Sequence, residues 1–214
     1  MPKNHINHSL KIYDQILSFG ECISAYLFTQ ILKKNNINSE YIDARKIVKT
    51  NNDFTQAKPL IKEIGLAAEK HLPLESNRII VLGGLIGSNE NDATTTLGRG
   101  GSDYSAALVA EAINAKLLYI WTDVAGIYQA DPRIIPTSKV IKKINFDEAI
   151  ELSSFGAKVL HPDTLWPAMR NNIEVFIGST FYPEKGGTWI SNFKKENSLI
   201  IRAITDNDKV FQPY

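Results

Sequence analysis

Three short apolar runs constrain the fold of this chain more than any other feature. They are "RIIVLGG" at 78–84, "KLLYIWTD" at 116–123 and "EVFIGST" at 174–180, each stopped by glycine or polar residues. An apolar run without polar alternation suits a strand covered on both faces, as in a parallel sheet flanked by helices. Stretches with helical spacing lie between and around these runs, at 59–70, 102–115 and 147–154, with 164–171 a further candidate around Pro167. Residues 16–34 read as a helix with one buried stripe, Ile16, Phe19, Ile23, Tyr26 or Leu27, and lysines at its end. Cys22 falls in that row and reads as a core thiol. "PEKGGTWI", 183–190, reads as a glycine turn entering another strand. Strands alternating with helices predict an α/β fold with a mostly parallel sheet and right-handed crossovers, the strands at 79–83 and 117–122 being interior.

With 214 residues, 43% of them apolar, the chain suffices for one sizeable core and one domain. Basic and acidic residues nearly balance, 24 against 23, so no general nucleic-acid or membrane surface is expected. No apolar run approaches membrane-spanning length, the first residues lack a signal-peptide pattern, and one cysteine excludes an internal disulfide. A cytoplasmic protein is the expectation.

In open parallel sheets, ligands collect beyond the carboxyl ends of strands. "GGLIGS", 83–88, follows the first apolar run, and "TDVAGIYQADPR", 122–133, follows the second. "TTTLGRGGSDY", 94–104, precedes an alanine-rich helix, where free backbone N–H groups and the positive dipole end favour anions. Arg99 offers a fork of donors for a carboxylate or phosphate, and Asp103 can receive an ammonium group. Together they can grip both ends of an amino-acid zwitterion. Each residue also has a plainer reading. Asp103 can be a first-turn carboxylate, Asp123 a loop carboxylate, Arg133 a surface ion-pair partner and Lys158 a solvated helix lysine. His161 before Pro162 reads as structural. Glu21, on an apolar helix, needs a partner or a ligand.

Taken in order, "SFGECIS … TTTLGRGGSDYSAAL … WTDVAGIYQADPR … FGAKVLHP … VFIGST … GGTWI" closely resembles the aspartate kinases of the amino-acid kinase family, from about residue 17 to residue 203. Uridylate and glutamate kinases share the Thr-Asp-x-x-Gly-x-Tyr-like segment but are not expected to carry both "GRGGSD" and "FGAKVLHP". The resemblance implies a three-layer α/β sandwich of carbamate-kinase type. It implies that Arg99 binds the α-carboxylate of L-aspartate, that Asp103 and Glu21 hold its ammonium end, and that Gly100, Gly101 and Ser102 supply backbone contacts. Thr122, Asp123 and Tyr128 would border the nucleotide, and Arg133 and Lys158 would reach the phosphates of ATP. Arg99, Asp103 and Lys158 would then carry the catalysis, with Mg²⁺ held mainly by the nucleotide and no dedicated protein metal site. The implied reaction forms 4-phospho-L-aspartate, the first step toward lysine, threonine and methionine. Members of the family also carry a Lys-Phe-Gly-Gly phosphate loop and paired regulatory domains, and neither has a counterpart in these residues. The expectation is therefore a partial, N-terminally truncated catalytic domain at 1–203, with 204–214 entering a linker. Its partners would be the two small substrates, with self-association or a complementing kinase segment. The alternative is an inactive module that binds nucleotide or another kinase chain.

Overall fold

The structure is a computed structural model that describes residues 3–73, 77–154, 160–193 and 203. The chain divides into two compact units, residues 1–114 and 115–214.

The first unit runs α1 (Lys3–Lys34), β1 (Ser39–Tyr41), α2 (Ile61–His71), β2 (Ile79–Val81), β3 (Ile86–Ser88), β4 (Thr94–Thr96) and α3 (Gly101–Ala112). β1 and β2 pair in parallel, with Ser39 opposite Ile79, and β3 and β4 pair antiparallel, with Ile86 opposite Thr96. The core gathers Ile47, Val48, Ile64, Ala68, Leu97 and Leu108. α2 contributes Ile64, Ala67 and Ala68, three- and four-residue neighbours on one helical face.

α1 corrects the sequence reading. A helix covers the expected residues and begins earlier, at Lys3, but the opposite stripe is buried. Asp14, Ser18, Ala25 and Thr29 are buried, whereas Ile16, Phe19 and Ile23 are 61%, 56% and 57% exposed. Cys22 is only half-buried. The reason lies in what the helix packs on. The Asp14 carboxylate is fully buried and accepts hydrogen bonds from the backbone N–H of Thr55 and Thr96 and from Thr96 Oγ1, at 2.8, 3.0 and 2.7 Å. A buried carboxylate is tolerated only with partners of this kind, and it fixes which side of the helix turns inward. Small Ser18, Ala25 and Thr29 then allow close approach, with the Thr29 hydroxyl donating to the Ala25 carbonyl. On the same helix, Tyr26 meets Tyr41 of β1 edge to face at 6.1 Å.

The second unit runs β5 (Leu117–Thr122), β6 (Lys143–Ile144), α4 (Phe146–Ser154), α5 (Pro162–Arg170), β7 (Glu174–Ser179) and β8 (Gly187–Ile190). The four strands form one mixed sheet in the order β5-β7-β8-β6. β5–β7 and β6–β8 are parallel, and β7–β8 is antiparallel. β7 is covered on both faces, as its unbroken apolar run predicts. β5 is not, and β2 also keeps Ile79 exposed, so neither run is the interior strand expected of it. β5 is an edge strand of the described sheet, and Leu117, Tyr119 and Trp121 share its open face. Tyr119 and Trp121 stack with ring centroids 6.3 Å apart, and both rings pack on Phe176 of β7. His161 has the structural role read for it. It is the N-cap of α5, its Nδ1 accepting from the backbone N–H of Asp163, with Pro162 in the first turn, where a missing N–H costs nothing.

Candidate functional site

In the first unit, the Gly-Arg-Gly-Gly segment makes the turn into α3. Gly98 and Gly100 have φ of 78° and 73°, the left-handed region that glycine enters without steric cost. Gly100 is the N-cap of α3, and no side chain caps the helix there. The first-turn N–H groups of a helix have no intrahelical acceptor, so this end is suited to an anion. Arg99 is exposed on the turn. Among the described residues it enters no ion pair. Asp103, in the first turn of α3, is half-buried, and burial pushes its carboxyl above the ordinary aspartate value. A cationic group brought beside it would reverse that shift.

The loop after β2 joins this turn to α1. A Cβ on Gly84 would stand 2.9 Å from Ser102 Cβ and 3.1 Å from Ser102 Cα, so only glycine lets the loop lie against the start of α3. A Cβ on neighbouring Gly83 would stand 3.4 Å from the carbonyl oxygen of Glu21. Leu85 N–H donates to Ser105 Oγ, which itself donates to the Ser102 carbonyl, tying the loop to α3 a second time. The Gly83–Gly84 loop therefore touches α1 at Glu21 on one side and α3 at Ser102 on the other. Residues 21 and 102, far apart in sequence, share this neighbour.

Sequence reasoning missed the supports of this region. Asp14 anchors β4, the strand that leads into Arg99. Its signal was available, since Asp14 and Glu21 are the only charges between residues 12 and 32 and stand seven apart, two turns on one face. Arg45 forms a bidentate pair with Asp43 and donates to Thr94 Oγ1 at 3.2 Å. That pairing holds the Asp43 carboxyl below its ordinary value against the opposing effect of burial, which is its largest single influence. Lys49 donates to Ser88 Oγ and to the Arg45 carbonyl. Tyr41 is pushed up to about 12, first by burial and then by its hydrogen bond with Cys22.

In the second unit, Thr122 ends β5 and its Oγ1 donates to the Asp123 carboxylate at 3.1 Å. Thr180 N–H donates to the Thr122 carbonyl, which holds the ends of β5 and β7 together. Tyr128 forms an isolated antiparallel bridge with Val140. The intervening loop is fastened to β8, where buried Thr188 Oγ1 accepts from Ile127 N–H at 2.8 Å. Gly126, at φ 135°, passes so close that a Cβ would stand 2.6 Å from that oxygen. Arg133 forms a bidentate pair with Asp131 on an exposed loop. Lys158 lies outside the described residues. Among the described residues no three His, Cys, Asp or Glu side chains gather as a metal site would require.

Comparison with known proteins agrees with this pattern. Residues 2–179 match the Amino acid kinase family. The chain is 47% identical over 192 residues to the lysine-sensitive aspartokinase 3 of Escherichia coli K12, covering 89% of this chain and 42% of that protein. It is 43% identical over 203 residues to the aspartokinase of Rickettsia felis, covering 94% of this chain and 50% of that one. Among solved structures, E. coli aspartokinase III in complex with aspartate and ADP superposes with a TM-score of 0.86 at 46% identity, over 91% of this chain and 43% of that chain. The chain thus spans about half or less of the length of these relatives. On the family match through residue 179 and the shared fold, this chain belongs to the amino acid kinase family.

Proposed function

We propose that the chain acts as an aspartate kinase, transferring the γ-phosphoryl group of ATP to the side-chain carboxylate of L-aspartate, as the first step toward lysine, threonine and methionine. A carboxylate oxygen of the substrate attacks the γ-phosphorus, and the bond to the bridging oxygen breaks, leaving ADP. The observation that carries this reading is the Gly83–Gly84 loop, flanked by the backbone of Glu21 and the start of α3 at Ser102. The aspartate and ADP found in E. coli aspartokinase III support it. Arg99 would pair with the α-carboxylate, the N–H groups of Gly101 and Ser102 would face an anionic oxygen, and Asp103 and Glu21 would receive the ammonium. Thr122, Asp123 and Tyr128 would border the nucleotide, with Arg133 and Lys158 toward its phosphates. Mg²⁺ on those phosphates would supply charge neutralisation, the main demand of phosphoryl transfer. The nucleophile belongs to the substrate, so these residues need only bind, orient and neutralise.

Titration calorimetry with L-aspartate and with ADP tests this reading. Arg99→Ala is expected to weaken aspartate by about ten- to a hundredfold, the loss of a charge-assisted fork, and to leave ADP nearly unchanged. Equal loss of both ligands, or of neither, would count against the assignment.

A further inference from the structure

Asp14 is the one fully buried carboxylate among the described residues, and the chemistry proposed above does not use it. Among the described residues it enters no ion pair. A charge buried without a cation costs more than a neutral side chain in the same place, so stability alone does not account for it. What it does is join elements. Its Oδ2 accepts from the N–H groups of Thr55 and Thr96, and its Oδ1 from Thr96 Oγ1. β4 is made for such bonds. Its three residues are buried threonines, and each hydroxyl is held from a different place: Thr94 by Arg45, Thr95 by the Thr50 hydroxyl at 2.7 Å, Thr96 by Asp14. Directional bonds of this kind fix where a strand stops, which apolar burial alone does not. Arg99 follows three residues after β4 ends. Thr55 reaches the same turn from the other side. Its φ is 70°, a conformation that a β-branched residue rarely enters, and a Cβ on Gly98 would stand 3.1 Å from its carbonyl oxygen. Asp14 thus grips the Arg99 turn both through β4 and through the residue packed on Gly98.

We infer that Asp14 is a positioning residue that sets the separation of Glu21 from Arg99, and so makes the site select an amino acid over the same dicarboxylate without its ammonium group. The inference rests on the reading above, in which Arg99 takes the carboxylate end of L-aspartate and Glu21 the ammonium end. Glu21 lies two turns beyond Asp14 on α1, about 10 Å along the same face. Its backbone meets Gly83, and neighbouring Gly84 meets Ser102. α1 from Asp14 to Glu21, the Gly83–Gly84 loop and the turn from Ser102 back to Thr96 therefore close into a ring, and the bonds of Asp14 to Thr96 complete it. Arg99 lies on the side between Thr96 and Ser102, and Glu21 at the corner of α1 and the loop. Two groups hold one ligand together only when they stand at that ligand's own length, and the Asp14 joint fixes this length. A carboxylate suits the joint. Its two oxygens take the N–H and the hydroxyl of a single residue, which sets orientation as well as distance. An asparagine would turn an NH₂ group toward one of these donors and open the ring.

Titration calorimetry of the whole chain with L-aspartate and with succinate, which keeps both carboxylates and lacks the ammonium, tests the inference. Asp14→Asn should weaken L-aspartate on the order of tenfold and succinate by no more than about twofold, so that the preference between them collapses. A loss of folded chains alone would weaken both ligands alike, and that result overturns the inference. In a Glu21→Ala chain the ammonium end is already lost, so adding Asp14→Asn should change L-aspartate affinity by no more than about twofold. A further loss on the order of tenfold in that background overturns it as well. Where Asp14→Asn fails to fold, Thr96→Val decides the matter, since it removes one bond of the joint and keeps the shape of the strand residue. It should shift the preference in the same direction by about threefold, and an unchanged preference counts against Asp14. Arg99→Ala separates the two levels of the argument. If it binds L-aspartate as tightly as the parent, the aspartate reading fails and the inference with it. If it weakens L-aspartate while the Asp14 and Thr96 variants keep the parent's preference, the inference alone fails.

Discussion

Asp14 holds together the part of the chain on which the aspartate reading rests. Three donors, Thr55 N–H, Thr96 N–H and Thr96 Oγ1, converge on its buried carboxylate. Asp14→Ala leaves three donors, two of them buried, without their acceptor and is expected to cost about 3 kcal/mol in urea unfolding. Asp14→Asn keeps one acceptor oxygen and should cost less. An Ala variant as stable as the parent would remove Asp14 from this role. Asp103 gives a prediction of opposite sign. Burial raises its folded value above the unfolded one, so folding favours the protonated form. The penalty is full above the raised value and vanishes below the ordinary aspartate range, so this group's contribution to stability falls as pH rises. Asp103→Asn should therefore be more stable than the parent at neutral pH, with the difference closing on acidification. A difference independent of pH would contradict the shift. Aspartate binding should follow the opposite course in the parent, weakening at low pH as the carboxylate needed for the ammonium is lost.

Among the elements, those legible in the sequence were set by local chemistry. The turn before α3 was legible because a left-handed N-cap demands glycine, and β7 because its apolar run is covered on both sides. The buried side of α1 was not legible. Apolar spacing reports that a face is covered without saying by what, and the inward face was chosen by Asp14 and small residues instead. β5 failed in the same way, since its apolar run is identical whether its open face meets a helix, another chain or its own stacked aromatics. The junction of the β2 loop with α3 was invisible because it depends on two glycines meeting distant residues. It can be tested by crowding. Gly84→Ala puts a methyl group 2.9 Å from Ser102 Cβ, close to rigid backbone, and must push the loop off α3. The expected cost is about 1–3 kcal/mol in stability, together with weaker aspartate binding than the stability loss explains. Unchanged affinity in a folded Gly84→Ala chain would separate the loop from the ligand site.

At the scale of the whole molecule, the residues assigned to aspartate fall in the first compact unit and those assigned to the nucleotide in the second. Phosphoryl transfer needs both ligands held and the developing charge neutralised. For the first, the proposed function assigns residues in each unit. For the second, it assigns Arg133 and Lys158. Arg133 is engaged by Asp131, and no Lys-Phe-Gly-Gly run occurs anywhere in the 214 residues. One preorganised charge-stabilising contact is worth about 3–4 kcal/mol in a transition state, roughly a hundred- to a thousandfold in rate. The expected outcome is a chain that binds aspartate and ADP but releases ADP slowly, with turnover raised by at least a hundredfold when a segment bearing that lysine and glycine loop is added, fused or free. A coupled assay of aspartate-dependent ADP release, run with and without the segment, reads this directly. The binding experiments with Arg99→Ala separate the two ways it can fail. Ligand binding without rescue would mean that the charge is neutralised elsewhere or not at all. Full turnover by the chain alone would mean that another cation already here, such as Lys11, stands in for the missing lysine, and its replacement by Met should then abolish the rate.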